Sequence, residues 1–393
     1  MFQQMRFRRK HRHLNESMAI GAMLFLVCSF SSLRLRGCSF RSLFKGEINM
    51  KKQATHLLAL VTAFAVSVTA AACKSNTAAS LAATSAQPST ATSKIADSAS
   101  TGFPFTLVTQ DNETVTFDHV PQRVLSTNPN TGEELMALGL GDKIIVTCYN
   151  TEHVADQWRK EYESKPVIAE KYPSLETVLN LNPDFIYGRS SAFGNRDSSI
   201  ATHKKLQENG IMSLASIEGY KTGCDVEDVY QDFYNLGRIF QVEDKANQIV
   251  EDMKRKIAAV EEKVNGAPAV KVFDFDSEQD GGAYTPGNNF TSKLIRHAGG
   301  VNIFENLEKT WNTVSWEAVV EANPDIIVIN DYGDTTAEQK KAFLKSNQAL
   351  ANVNAIKNDR FLVITLPEVF ASARVPETIE KFARAFHPDA FAQ

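Results

Sequence analysis

The sequence predicts an α/β protein built as two lobes of alternating strands and helices, joined by one long helix. Three observations predict it. First, the stretch SLETVLNLNPDFIYG from Ser174 returns as SWEAVVEANPDIIVI from Ser315. Seven positions agree at one offset of 141 residues: Ser174/Ser315, Glu176/Glu317, Val178/Val319, Asn182/Asn323, Pro183/Pro324, Asp184/Asp325 and Ile186/Ile327. Two copies so far apart exceed the periods of solenoid repeats and mark two lobes of similar build. Second, β-rich runs alternate with helical periodicity in both halves, as parallel sheets covered by helices require. Third, residues 242–264 contain neither Gly nor Pro, and Ala246, Ile249, Val250, Met253, Ile257, Val260 and Val264 recur at three- and four-residue steps. About 23 residues at 1.5 Å each give a helix of roughly 34 Å, the span of a small domain.

The front of the chain is of another kind. Residues 50–73 read MKKQATHLLALVTAFAVSVTAAAC: two lysines, an apolar run, then small residues. That is a secretory signal peptide over 50–72. Cys73 directly after the small residues resembles the lipobox of bacterial lipoproteins, where that thiol is lipidated and becomes the first residue. Ala70 stands where the pattern prefers Leu. Residues 1–49 hold a second basic-then-apolar segment, shorter than the roughly 20 apolar residues that cross a bilayer. Arg34 and Arg36 sit where a cleavage site needs small neutral residues. The segment reads as an upstream extension before a start at Met50, with a genuine N-terminal anchor as the alternative. Residues 73–100, rich in Ala, Ser and Thr and without an aromatic, read as a flexible tether.

Residues 1–72 carry 11 of the 42 Lys/Arg and 2 of the 46 Asp/Glu, which leaves 31 basic and 44 acidic residues and a net charge of −13. So acidic a body argues against nucleic-acid binding. After Cys73 only Cys148 and Cys224 remain. One disulfide or two buried thiols both fit, and spacing leaves the choice open.

The body divides into an N-terminal lobe at 101–240, a connecting helix at 241–266 and a C-terminal lobe at 267–393. FTLVTQDNETVTFD predicts a hairpin around Asp111-Asn112. RVLST is a strand, NPNTG a loop and EELMALGL a helix; IIVTCYN is the next strand. The first copy of the repeat supplies a helix and the strand DFIYG. IATHKKLQENG is a helix, IMSLAS a strand and VEDVYQDFYNLGRIF an amphipathic helix. After the long helix, VKVFDFD is a strand, and NNFTSKLIRHAGG a helix closed by Gly299-Gly300. The second copy follows, then the helix KAFLKSNQAL, the strand DRFLVITL and the helix VPETIEKFARAF. In each copy a serine caps the helix and glutamate takes its second position. A capping box is excluded, because the third positions hold Thr177 and Ala318. The plain reading of Glu176 and Glu317 is favourable interaction with the helix dipole, for about 0.3–1 kcal/mol.

The segments PQRVLSTNPNTGEELMALGLGDKI, SLETVLNLNPDFIYG, HAGGVNIFEN, SWEAVVEANPDIIVI and DRFLVITL resemble the helical-backbone family of ABC-transporter substrate-binding proteins over roughly residues 103–390. The resemblance implies two Rossmann-like lobes on one long helix, with the ligand in a cleft between them. It also implies that Glu176 and Glu317 dock to the two subunits of a permease dimer, itself served by ATPase subunits. Paired charges of this kind set orientation and encounter rate more than affinity. The expected protein is a lipid-anchored monomer on the extracytoplasmic face of a membrane, stiff enough along its helical spine to close by only a few degrees. Its cargo is expected to be a metal chelate, with iron(III)-siderophore ahead of cobalamin and haem and with no resident cofactor. A non-transport ligand sensor is the alternative.

Ligands of open α/β sheets sit at the carboxyl ends of the strands. That rule nominates the loops 126–132, 187–199, 276–289 and 330–334, with 366–374 as a further contributor. An anionic ferric chelate wants arginines and aromatic faces. Arg189, Arg196 and Tyr187 are the candidates in the N-terminal lobe, and Tyr284, Trp311, Tyr332 and Arg374 those in the C-terminal lobe. The histidines are scattered without ligand spacing, so no metal site is expected. His153 stays open as a loop residue facing a chelated iron. No P-loop, G-x-S-x-G, H-E-x-x-H or G-x-G-x-x-G motif is present. The Asp274-x-Asp276 pair has no second acidic cluster beside it, which argues against an enzyme.

Overall fold

The computed structural model describes residues 102–392. The described residues form one compact unit. The expected leader, Cys73 and the tether lie outside the described residues.

Hairpin strands β1 (Phe105–Val108) and β2 (Thr114–Phe117) open the N-terminal lobe and pair antiparallel. Strands β3 (Val124–Ser126), β4 (Ile144–Thr147), β5 (Phe185–Gly188) and β6 (Met212–Ala215) follow, in a parallel sheet of order β4-β3-β5-β6. Its helices are α1 (Pro129–Ala137), α2 (Asp156–Tyr162), α3 (Leu175–Leu181), α4 (His203–Glu208) and α5 (Val226–Phe240). The connecting helix α6 runs over Glu243–Val264, 22 residues.

In the C-terminal lobe come β7 (Val270–Phe275), β8 (Ser277–Gln279), β9 (Gly282–Pro286), α7 (Phe290–His297), β10 (Gly300–Asn302), β11 (Trp311–Val314), α8 (Trp316–Ala322), β12 (Ile326–Asp331), α9 (Ala337–Ser346), α10 (Asn354–Lys357), β13 (Phe361–Thr365), α11 (Leu366–Val369) and α12 (Val375–Phe386). The parallel sheet has the order β10-β7-β12-β13. In each lobe the second strand lies outside the first, and the third and fourth lie on its other side. The two sheets therefore share one topology, and in each the reversal falls between the first and third strands (β3/β5 and β7/β12).

Two segments differ from the sequence reading. The loop expected over 126–132 is helical from Pro129, because proline at the first helical position loses no hydrogen bond and is preset for the turn. The loop expected over 276–289 contains the hairpin β8–β9, which joins β11 in a separate antiparallel sheet. Its turn is Asp280-Gly281, with φ of 54° and 78°. Asp-Gly is the residue pair that a two-residue hairpin turn of this hand requires.

Alternation along the strands divides the core. Val124, Phe185, Tyr187, Val272, Ile326, Val328 and Ile364 face one continuous cluster shared by both lobes, with α5, α6 and α12 inside it. Leu125 and Ile186 face a second cluster under the outer helices of the N-terminal lobe. Phe273, Phe275, Ile327 and Ile329 face a third in the C-terminal lobe. On α6 the fully buried positions are Ala246, Val250, Met253, Ile257, Val260 and Val264, one stripe at three- and four-residue steps. Phe233 of α5 is buried in the shared cluster. Phe233→Ala is expected to cost about 3–5 kcal/mol, seen as a lower urea midpoint with an unchanged slope.

Candidate functional site

Strand carboxyl ends from both lobes converge on a cavity of about 280 Å³. Arg189, which follows β5, and the loop 218–222, which follows β6, form its N-terminal wall. Opposite stand Asn289 and Phe290 at the start of α7, Trp311 of β11, Asn330 of β12 and Phe370 after α11. The Arg189 guanidinium lies over the Phe370 ring, 4.0 Å from its centroid, and spans the gap between lobes. Its Nη2 donates to Glu218 at 3.3 Å, while Arg189 Nε and Glu218 Oε2 are buried without partners. Cation and carboxylate thus nearly cancel at the mouth of the cleft.

Further groups follow the carboxyl ends of the N-terminal strands without lining this cavity. Tyr149, after β4, has a φ of 54°, uncommon for a bulky residue. Its ring meets Tyr172 edge-on at 4.8 Å. The Tyr172 hydroxyl donates to Asn128 Oδ1 at 3.1 Å and lies 2.7 Å from Ser191 Oγ. Gly188 is required where β5 passes β3, since a Cβ there would fall 2.0 Å from Thr127 Oγ1.

The structure brings Arg189 and Trp311 together in the cavity, with Tyr284 stacked on Trp311 at 5.3 Å. The other candidates lie elsewhere. Tyr187 is fully buried in the shared core, on the same strand face as Phe185, and its hydroxyl donates to Glu134. Arg196 is exposed on the loop beyond the cavity. Tyr332 donates to Asp276 Oδ2 at 2.7 Å and lines a different cavity, confined to the C-terminal lobe. Arg374 is an interlobe tie: Nε reaches both Glu133 oxygens at 2.8 and 2.9 Å, and Nη2 donates to the His153 carbonyl at 3.0 Å. Burial pushes the Glu133 carboxyl up although Arg374 pulls it down. The exposed His153 ring pairs with Glu163 at 2.6 Å. A larger cavity of about 450 Å³ beside Arg374 is also lined by both lobes, but by α2, α11 and α12 rather than by the strand ends of the sheet reversal.

On the opposite flank, Gly223 N donates to the Asn288 carbonyl at 3.3 Å, and His297 bridges Asp225 at 2.9 Å and Glu261 at 2.6 Å. Burial opposes the charge on His297, but the two carboxylates outweigh it and hold the imidazole above its usual range. Cys148 and Cys224 are both buried free thiols, and burial pushes Cys148 up to about 12. Among the described residues, no group of three or more His, Cys, Asp or Glu is arranged to hold a metal ion, and no helix is long and apolar enough to cross a membrane.

The repeated unit now has a residue-by-residue account. Ser174 and Ser315 accept from Thr177 N at 3.2 Å and Ala318 N at 3.3 Å, capping α3 and α8. Val178, Val319, Ile186 and Ile327 are fully buried. Asn182 and Asn323 end the helices at φ of 49° and 48°, the left-handed cap that asparagine tolerates. Pro183 and Pro324 are buried. Asp184 accepts from Arg123 N at 2.8 Å and Asp325 from Lys271 N at 3.1 Å, each tying the third strand to the start of the first. Glu176 and Glu317 are exposed, and neither side chain ties its helix to another element. Glu317's own backbone N–H and the Ser315 hydroxyl hold its carboxyl below the usual range.

The sequence pattern of the Periplasmic binding protein family matches residues 124–368, and the chain belongs to that family. It is 26% identical over 295 residues to an uncharacterized ABC transporter substrate-binding lipoprotein of Bacillus subtilis, covering 74% of this chain and 88% of that one. It is 24% identical over 293 residues to a cobalamin-binding protein of Halobacterium salinarum, covering 72% and 74%. Among solved structures, a periplasmic binding protein from Veillonella parvula is 29% identical with a TM-score of 0.67, covering 72% of this chain and 97% of that one. An ABC-type Fe3+-hydroxamate transport system from Saccharomonospora viridis shares the fold at 23% identity and a TM-score of 0.62, covering 72% and 99%.

The N-terminal lobe also holds a buried acid pair, Glu134 and Asp232. Asp232 accepts from Ser216 Oγ and Ile217 N, both at 3.0 Å, and burial pushes its carboxyl up to about 8. Burial and the Asp232 charge push Glu134 up as well. A raised folded value means the native state holds its proton more tightly, so the stabilisation is complete below the ordinary carboxylate range and is lost as pH rises through about 8. Asp232→Asn keeps the acceptor and cannot titrate. Its stability relative to the parent is therefore expected to rise between about pH 4 and about pH 8 and to level off above, read by urea unfolding.

Proposed function

We propose that the chain is an extracytoplasmic, lipid-anchored solute-binding protein that hands a metal chelate to the permease of an ABC importer. The observation that carries this reading is the repeat. Every repeated residue except Glu176 and Glu317 has an internal structural role, and those two acids stand exposed, one on each lobe. Two permease subunits would each meet one of them.

The charge inventory refines the cargo. Arg189 is paired with Glu218, while Arg196 and Arg374 lie outside the cavity. What faces the ligand is two cations, each paired with a carboxylate (Arg189 with Glu218, and Lys221 with Asp228 at 2.6 Å), aromatic rings and neutral amide or hydroxyl groups such as Asn289, Asn330 and Thr222. A chelate of low net charge suits that surface better than a highly anionic one. A ferric hydroxamate siderophore is therefore our first reading, with planar or aliphatic groups entering between Arg189 and Phe370. A corrinoid, whose rim carries neutral amides, is the second, and the relatives named for cobalamin favour it.

The test is calorimetric titration with a ferric hydroxamate siderophore, a ferric catecholate siderophore, cyanocobalamin and haemin. Sub-micromolar binding is expected for the first or third, weakened about tenfold or more by Arg189→Ala or Phe370→Ala. Tightest binding of the tri-anionic catecholate would overturn the charge argument. Charge reversal at Glu176 and Glu317 should abolish uptake with ligand affinity intact; loss of ligand binding instead would place those acids in the cleft.

A further inference from the structure

The C-terminal lobe carries a second cavity, of about 410 Å³, lined by no residue of the N-terminal lobe. Its apolar wall is Phe275, Tyr332 and Phe343. Phe343 of α9 is 41% exposed, the largest exposed aromatic of the lobe's surface. It stacks on Phe275 at 6.3 Å and meets Trp316 at 5.8 Å. Trp316 immediately precedes Glu317, and Val320, one helical turn further along α8, is 36% exposed. An apolar surface thus runs from the groove to the carboxylate assigned to docking. Such a run of exposed apolar side chains beside a charged rim marks interaction sites.

The border is acidic. Glu278 and Asp334 are exposed at the groove and Glu317 beside it. The one cation at the base, Lys340, is buried, donates to the Asn330 carbonyl at 2.5 Å and lies over the Tyr332 ring. In the N-terminal lobe Leu175 stands where the repeat has Trp316; both pack partly buried against their own lobe's core, but only Trp316 offers an aromatic ring to a neighbour such as Phe343.

We propose that this groove receives an apolar side chain, flanked by a basic residue, from an extracytoplasmic loop of the permease. The proposal rests on the docking reading of Glu317 and extends it to one lobe in particular. Continuity with Glu317 and the acidic border select this occupant over a second copy of the same acidic chain, which would set like charges against one another.

The experiment places a photo-cross-linking residue at position 343, or at position 321, an exposed site one helical turn beyond Glu317 that leaves the docking carboxylate in place, in the full-length protein in membranes of its host, and identifies products by mass. Both positions are expected to give the permease. Phe343→Glu should cut the product from position 321 about tenfold or more, as a charge in an interface core does, while Phe343→Leu retains it. Thermal melting of each variant, at a half-exposed position, establishes that the fold is intact. Permease captured from 321 but not from 343 would overturn the groove and leave docking standing. Permease from neither would overturn both, and a product with a second copy of this chain from position 343 would overturn the assigned occupant.

Discussion

Both lobes depend on a single apolar seam. The inner faces of the two parallel sheets do not close on separate cores; they share one cluster with α5, α6 and α12. Because strand side chains alternate, each sheet commits every second residue to that seam and the rest to its own outer cluster. Wide separation of the lobes would return part of this surface to water, at about 25 cal/mol per Å². The seam therefore favours small displacements about a stiff spine over a wide hinge motion.

Polar ties across the gap reinforce that constraint. On one flank Arg374 holds Glu133 and Asn130 donates to the Ala371 carbonyl at 3.2 Å; on the other, His297 holds Asp225 against the spine through Glu261. The cavity lies between these flanks, at the reversal of both sheets. Within it, the Arg189–Phe370 stack is the contact across the gap that a planar guest could replace with a similar one. A guest with a planar π face that slides between them would take the cation–π contact with Arg189 on one side and stack on Phe370 on the other, so entry need not leave a bare charge.

Much of this was legible in the sequence, for physical reasons. Period-two and period-3.6 patterns found the parallel strands and the spine, because those patterns are the burial itself. The same alternation places Tyr187 on the face of Phe185 and so inside the core, although its position near a strand end suggests a ligand contact. The Asp280-Gly281 pair is the local signal for the β8–β9 hairpin within the expected loop. The carboxyl-end rule applied to β6 nominates 218–222. Other features have no local signal: Arg374 meets Glu133 241 residues away, and nothing in the loop 366–374 marks Phe370. Arg196 shares a loop with Arg189, but the chain turns it outward.

The most direct test of the central claim is amide hydrogen exchange of the protein with and without the chelate that binds it. Three separate segments, 188–192, 218–222 and 366–371, meet only if the interlobe cavity is the binding site. The expected result is slowed exchange in all three together, with α3 and α8 unchanged. Protection confined to one lobe, or centred on the cavity beside Arg374, would contradict the account.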